Sequence, residues 1–532
     1  MSIIPCSQSH TLSTLLKCYL RQQVYSLREA FIKRKLRQMW RNPRPAQEKL
    51  LRQFIARDAE TEYGRTHHLG NIKNLADLQT KHPLTSYDHY KEYIQRLADG
   101  EQGVFLGEKT VRFGVTSGTT GAGKLIPIVA SRPVLASHTM YELSFAANES
   151  FGKPGPLQRS CLLFCRPTVN HTKSGHLVAP LYHVPDDQHL MDMSNTPSAG
   201  FQLSNDFESN YVHLLFAILD KNLGLFLAPF TKLMVRAMKL IEDNWQTMLD
   251  DITKGRINPD LAISDEIRRD LNAALTPNPV RAGTAVYSGS YASTETFIGT
   301  NLWPHYPQLK YCLLLHECVF EFIQESDCQE ENPKGLLIDE VVVGQIYELV
   351  LTTRGGLYRY RNGDVVEVVD MHEKCPVIQF KYRKAELLNL RSEKVTAVVM
   401  QSVVEEFTSQ VAGSKLVNWT CAESLLLADL EGETYEIFYI VFLELENVPP
   451  LEDTTKWAQK FDKILRRHHQ VYSLLRNSAT IDMAHVHRVK PGSFKELQKF
   501  ILSHSTASVN QYKSPRKLRN RGVLKLLMSN VM

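Results

Sequence analysis

Thr116-Ser117-Gly118-Thr119-Thr120-Gly121-Ala122-Gly123-Lys124 carries the sharpest chemical signal in the chain. Gly118, Gly121 and Gly123 let the backbone curl until its N–H groups point into one concavity, and hydroxyls at Thr116, Ser117, Thr119 and Thr120 add donors. Lys124 closes the loop with a point charge, and the set suits a polyphosphate. A Walker A loop is excluded, because the G-x-x-x-x-G-K-[ST] order is missing and Leu125 follows the lysine where a hydroxyl would meet Mg²⁺. Three such residues would be a flexible turn; nine closed by a lysine point to phosphate. Short β-like runs flank the loop, Val111-Arg112-Phe113 before and Leu125 to Val129 after, an order at home in α/β architecture.

Other candidates are weaker when read singly. Glu295, at the end of Tyr291-Ala292-Ser293-Thr294-Glu295, reads as a solvated acid, Tyr291 as a core aromatic and Lys513 as one charge of a basic tail. Asp364 follows Asn362-Gly363, where a structural turn aspartate is ordinary. His67-His68, His468-His469 and His485-x-His487 lack the cysteine or carboxylate spacing of a zinc motif and read as surface or strand residues. Gly289-Ser290-Tyr291-Ala292-Ser293 is not a nucleophile elbow. The nine cysteines are sparse and irregular, so buried free thiols in a reducing compartment are expected.

Taken together, these stretches resemble the Gretchen Hagen (auxin-responsive) acyl acid-amido synthetases, a family of adenylate-forming enzymes. The loop is similar to that class's first motif. Tyr291 to Glu295 resembles the second, Leu357-Tyr358-Arg359-Tyr360-Arg361-Asn362-Gly363-Asp364-Val365 the third, and Gln511-Tyr512-Lys513-Ser514-Pro515-Arg516 the C-terminal lysine motif. Pro83-Leu84-Thr85-Ser86-Tyr87-Asp88 and Val319-Phe320-Glu321-Phe322 also match, so the resemblance runs from about residue 45 to 522. Thr116 and Thr294 stand where plant members usually have serine, and both keep a hydroxyl. The resemblance implies an adenylate-forming fold: a large N-terminal α/β domain with a β-barrel-like portion, and a small mobile α+β C-terminal domain. It also implies ATP and Mg²⁺ as cofactors and a small carboxylic acid with an amino acid or other amine as substrates.

The same resemblance assigns roles. Thr116 to Gly121, Gly123 and Lys124 hold phosphates, Glu295 holds Mg²⁺, and Tyr291, Ser293, Thr294, Asp364 and Arg383 hold the nucleotide, with the ribose on Asp364. Lys513, carried on the mobile domain, acts on the α-phosphate, and a hinge near Arg383 to Lys394 connects the two states of the enzyme. Two rivals share parts of this reading: a non-catalytic descendant that binds nucleotide or partners, and a synthetase forming acyl thioesters with coenzyme A.

The elements that must position these residues follow from length and pattern. At 532 residues and 43% hydrophobic composition the chain exceeds one compact core. Residues 1–45 hold nine basic residues and only Glu29, residues 513–532 hold six basic residues and no acid, and the remainder carries a net −9. That distribution excludes a uniformly basic nucleic-acid binder. The expected division is a basic extension at 1–45, a large domain at 46–390 and a small domain at 391–532. Helices are expected to about residue 100, broken at Tyr63-Gly64 and His82-Pro83, with long helices at 207–255 lining the acid pocket or forming plain core. Strands follow at 336–380, among them Val341-Val342-Val343. Beyond 390 helix and strand alternate: helix 392–412, strands near 415–422 and 434–446, helix 454–474, strand 479–488 and helix 493–503.

Leu12, Leu16, Leu20, Val24, Leu27 and Phe31 recur every three to four residues, which predicts an amphipathic helix over 11–40. Its stripe suits packing on the body, a mitochondrial transit peptide, or adhesion to an anionic membrane surface. A cytoplasmic monomer is expected, with mitochondrial or membrane-peripheral placement open, since no apolar run approaches the roughly 18–20 residues of a bilayer span.

Overall fold

The computed structural model describes residues 12–116, 123–131, 158–163, 169–180, 194–220, 223–228, 231–275, 289–306, 308–330, 332–391, 393–411, 413–427, 436–447, 454–504 and 512–532. Pro43 opens helix Pro43–Asp58, where its fixed φ suits the first turn and its missing N–H is no loss. Thr61 caps Glu62–Thr66 through Gly64 N at 2.9 Å, and Asn74 caps Leu75–Lys81 through Asp77 N at 2.8 Å. Gly64 therefore does not break a helix; it lies inside one, and a Cβ there would stand 2.0 Å from the Asp58 carbonyl oxygen. Helix Tyr87–Ala98 buries Tyr90, Ile94, Leu97 and Ala98, which join Tyr63, Phe105, Phe113, Ile126 and Tyr358 in one core.

Strands Thr110–Val115 and Leu125–Val129 pair antiparallel, with Val115 opposite Leu125. The phosphate loop thus joins two hydrogen-bonded strands rather than a strand and a helix. Leu177–Ala179 adds in parallel to the first of them. Nearby, Arg159–Leu162 pairs in parallel with Leu223–Leu227, and helices Asp206–Leu219, Thr231–Lys254 and Asp265–Ala274 close a second core on them. The long helical pattern at 207–255 is therefore two helices with a strand between.

The centre of the molecule is an eight-stranded antiparallel sheet. Its order is Gly335–Leu336, Cys318–Gln324, Ile346–Thr353, Tyr360–His372, Cys375–Arg383, Tyr311–Leu313, Phe297–Thr300 and Ser290–Ala292. Val341 to Val343 is not one of its strands: Gly344 takes φ +87°, the chain turns, and Val342 and Val343 face solvent.

Beyond it, Lys415–Glu423, Tyr439–Glu446 and His485–Val489 form a three-stranded sheet. Side chains alternate across a strand, so Tyr439, Val441 and Leu443 pack against helices Ala397–Ser409 and Thr454–His468, while Ile440 and Phe442 pack against Ser493–Ser503 and Arg521–Ser529. The helix expected over 454–474 is two, Thr454–His468 and Gln470–Asn477, because His469 leaves the helical conformation and caps Tyr472 N. Leu388 and Leu390 already belong to this core, so the chain passes from one core to the other between Arg383 and Leu388.

The first helix runs Leu12–Arg41, and it packs on the body with Ile32, Leu36 and Trp40. The stripe picked out by spacing lies on the opposite side: Leu16, Leu20, Val24, Leu27 and Phe31 are exposed. Packing of that stripe on the body is overturned, because only the last turns of the helix reach the sheet. No helix among the described residues is long and apolar enough to cross a membrane. Cys161, Cys312, Cys318, Cys328, Cys375 and Cys421 are buried free thiols.

Candidate active site

Three of the four motif stretches meet through one chain of side chains. Lys124 Nζ donates to the Tyr360 hydroxyl at 3.3 Å, and that hydroxyl donates to Glu295 Oε1 at 3.3 Å. Lys124 is set by its strand pair: its N–H donates to Thr116 Oγ1 at 2.9 Å, and its carbonyl accepts from Thr116 N at 3.1 Å. The ammonium also lies 5.4 Å from the centre of the Tyr87 ring. Glu295 stands at the turn between strands Ser290–Ala292 and Phe297–Thr300, where Ser293 N donates to Thr296 O. Thr294 packs on the first hairpin, its methyl 3.4 Å from where a Gly114 Cβ would be. Gly123 is described beside Lys124, whereas Ser117, Gly118, Thr119, Thr120 and Gly121 lie outside the described residues.

Farther along strand Tyr360–His372, Asp364 is fully buried and held by three groups. Arg383 Nε donates to Oδ1 at 2.6 Å, the Tyr291 hydroxyl to Oδ2 at 2.7 Å, and Asn362 Nδ2 to Oδ2 at 3.3 Å. Asp364 and Arg383 are register partners on paired strands, so the ion pair is fixed by the sheet. Burial, then the Asp364 charge, holds the Tyr291 hydroxyl far above the usual tyrosine range. Burial works against the Arg383 cation, but Asp364 outweighs it and the guanidinium is held more firmly protonated. Tyr291 packs between Tyr311 and Phe380, with ring centres 5.6 and 6.1 Å away.

The rest of the third motif turns inward. Tyr358 OH donates to Asp58 Oδ2 at 2.9 Å. Arg359, at φ +48°, gives Nε and Nη2 to Glu321 and Nη1 to the carbonyls of Gln79 and His82. Arg361 gives Nε and Nη2 to Glu348, which also takes Lys384 Nζ at 3.1 Å. Thr85 stitches this run in place, donating its N–H to Arg359 O at 3.0 Å and accepting Arg361 N at 3.0 Å. The stretches Pro83 to Asp88 and Val319 to Phe322 are therefore the braces of the third motif.

Lys513 comes to this site from the other end of the chain. Residues 514 to 518 lie along strand Lys415–Glu423: Asn418 Nδ2 donates to Ser514 Oγ, Cys421 N to Arg516 O, and Leu518 N to Cys421 O. Arg516 is taken up by the Trp419 carbonyl at 2.7 Å and the Trp419 ring at 4.5 Å, whereas Lys513 lies near enough to Arg383, Glu386 and Asp364 to feel their charges. Lys513 is exposed overall, with local desolvation of its ammonium. That desolvation, with Arg383 adding repulsion and Glu386 and Asp364 opposing, lowers its pKa below the ordinary lysine value. Glu393 anchors the supposed hinge: it accepts Leu390 N, Arg391 N and the Tyr439 hydroxyl, and Leu388 bridges Val395. The segment after Leu388 is thus part of the C-terminal unit.

The model of the GH3 family N-terminal domain matches residues 32–313, that of the GH3 family central domain 311–383, and that of the GH3 family C-terminal domain 398–522. The chain belongs to the GH3 family. Indole-3-acetic acid-amido synthetase GH3.3 of Arabidopsis thaliana is 26% identical, over 93% of each chain. A GH3 domain-containing protein of Mus musculus is 34% identical over 47% of this chain and 46% of its own. Among solved structures, GH3.15 acyl acid amido synthetase matches with a TM-score of 0.76 at 22% identity, over 95% of this chain and 96% of that one. This GH3 protein therefore has the fold of the acyl acid amido synthetases, as its motifs imply.

Two residues at the centre of the site were not among those picked out by sequence. Tyr360 lies within the third motif and Tyr87 within Pro83 to Asp88, where neither stands out by residue type. Both stand in the motif stretches, and only pairing of Thr85 with Tyr360 across the sheet shows that they share one ammonium.

Proposed function

We propose that this GH3 protein is an ATP-dependent ligase that adenylates a small carboxylic acid and passes the acyl group to an amino acid or other amine. The carrying observation is the chain of contacts from Lys124 through Tyr360 to Glu295, with Lys513 near enough to Asp364 and Arg383 to feel their charges. In the first half-reaction a carboxylate oxygen attacks the α-phosphorus of ATP and the bond to pyrophosphate breaks. Two anions meet there, so cations must be in place beforehand. Lys124 supplies one at the phosphate loop and Lys513 a second. In the second half-reaction the amine nitrogen attacks the acyl carbon, loses a proton and displaces AMP.

The residues fit both cofactors. Among the described residues Ser293 Oγ is buried without a hydrogen-bond partner at the turn that carries Glu295, a polar group that bound nucleotide would satisfy. Among the described residues Glu295 Oε1 receives one long bond, from the neutral donor Tyr360, which leaves its charge for Mg²⁺; the ion normally takes one or two carboxylates besides phosphate oxygens and would screen the phosphate charge. Pyrophosphate exchange across a panel of carboxylic acids, then mass spectrometry with amines or coenzyme A as acceptors, tests the reading, with Lys124→Ala as control. Exchange with no acid, together with no ATP binding by calorimetry, overturns it. Thioester in place of amide assigns the other acceptor class.

The first helix bears on where the enzyme works. Its exposed stripe of Leu16, Leu20, Val24, Leu27 and Phe31 is flanked by exposed Arg28, Lys35 and Arg37, a pattern complementary to an anionic membrane surface. We infer a cytoplasmic enzyme that adheres peripherally to such membranes. Co-sedimentation with phosphatidylserine vesicles, lost in Leu20→Glu/Leu27→Glu, is expected; equal sedimentation with neutral vesicles counts against it.

A further inference from the structure

Three histidines far apart in sequence, at 67, 82 and 89, come together beneath the segment that braces the third motif. Each sits at a helix end: His67 just after Glu62–Thr66, His82 just after Leu75–Lys81, and His89 in the first turn of Tyr87–Ala98. One ring nitrogen of each lies within 4.8 Å of the other two. The intervals of 15 and 7 residues form no local motif, so only the packing of three helices reveals the group.

The geometry points to a divalent transition-metal site, Zn²⁺ by preference, held by ring nitrogens of His67, His82 and His89 with water completing a tetrahedron. Zinc takes imidazole at about 2.0–2.1 Å, which sets ligand atoms roughly 3.3–3.5 Å apart, so side-chain shifts of about 1 Å close the site. His82 is already oriented for it. Its Nδ1 lies 2.9 Å from the Pro83 carbonyl, which can only accept, so the proton is on Nδ1 and the lone pair of Nε2 faces the cluster. Metal-binding histidines are oriented by such a bond on the far nitrogen. The Tyr63 hydroxyl stands 2.8 Å from His82 Nε2 and 3.1 Å from His89 Nε2, marking the point on which the rings converge. His82 is buried while His67 and His89 are half-buried, so an ion enters from their side. Three imidazoles without thiolate or carboxylate suit Zn²⁺, Co²⁺ or Ni²⁺ over Ca²⁺ or Mg²⁺.

The ion is structural for the active site. The His82 carbonyl accepts from Arg359 Nη1 at 2.7 Å, and the residues that follow include Thr85 and Tyr87, which hold Tyr360 and cover Lys124. Tying three helix ends together at His82 stiffens that brace.

The test uses the full-length protein stripped with a chelator and titrated with Zn²⁺ alone in a chromophoric-chelator competition, and with Co²⁺ read by its visible spectrum. One equivalent is expected, with the intense d–d bands of four-coordinate Co²⁺ and a thermal midpoint that rises with added Zn²⁺. His67→Gln and His89→Gln, half-buried and at helix ends, should keep the unfolding midpoint of the metal-free wild type while weakening binding tenfold or more. Full-strength binding in the His67→Gln/His89→Gln protein overturns the site, as does the absence of stoichiometric binding to folded wild type. Neither result touches the ligase reading, which is judged by pyrophosphate exchange.

Discussion

From Tyr358 to Arg361, every polar side chain of the third motif is matched inside the protein, that of Tyr360 by Lys124 and Glu295 of the candidate site. The Tyr358 hydroxyl has Asp58, Arg359 has Glu321 and two carbonyls, and Arg361 has Glu348. Three residues on, Asp364 is just as buried, yet its partner Arg383 is partly exposed and Lys513 lies near both. One stretch of sequence therefore holds two kinds of charge. A charge whose partners lie wholly in the core has no valence left for a ligand and serves the fold. A charge whose partners face the cleft can exchange them for substrate.

The largest effect should come from the first kind. Arg359→Leu leaves Glu321 buried and unpaired and should cost about 3–5 kcal/mol of unfolding free energy, measured by urea titration. Arg359→Leu/Glu321→Leu should recover much of that loss, since no lone charge remains. A stable Arg359→Leu protein that fails only in turnover would show the guanidinium acting on substrate and erase the distinction.

The second kind should behave oppositely. Lys513→Ala removes a partly desolvated cation from the cleft and should slow the adenylation half-reaction about 10²–10³-fold with stability within about 0.5 kcal/mol of wild type. An unaltered exchange rate would remove Lys513 from the chemistry. Asp364→Asn keeps the shape but loses a charged acceptor, and about 1.5–3 kcal/mol should appear as weaker ATP binding, a roughly tenfold or larger rise in KM. An unchanged KM would place Asp364 with the anchors.

Much of this was legible in the residues because adenylation motifs are local. Thr116 and Lys124 bracket one loop, Tyr291 to Glu295 one turn, and Asp364 follows one Asn-Gly pair. What was not legible depends on contacts across long intervals. The pairing of Arg359 with Glu321 reaches across the intervening strand Ile346–Thr353, and Tyr360 between Lys124 and Glu295 needs three separate stretches brought together. The histidine cluster needs three helix ends. The contact face of the first helix is hidden for a different reason: periodicity reports that a helix has an apolar face, not which face meets the body, and Ile32, Leu36 and Trp40 carry the weaker pattern.

Glu348 offers the finest test, since it sits on the same β-ribbon opposite Val365 with Arg361 and Lys384 on its carboxylate. Burial alone would raise its pKa, but Arg361 and Lys384 outweigh it and hold the carboxyl below its ordinary value of 4.5. The folded state thus binds a proton less readily than the unfolded chain. Stability from this group is fully present above pH 4.5 and is lost as pH falls through the lower folded value. Glu348→Gln cannot titrate, so the gap in urea midpoint between wild type and variant should be widest near neutrality and narrow steadily as pH drops from about 6 toward 3. A gap that stays constant with pH would mean that Glu348 holds the ribbon through shape and hydrogen bonding alone, and that its two cations contribute to the fold as donors rather than as charges.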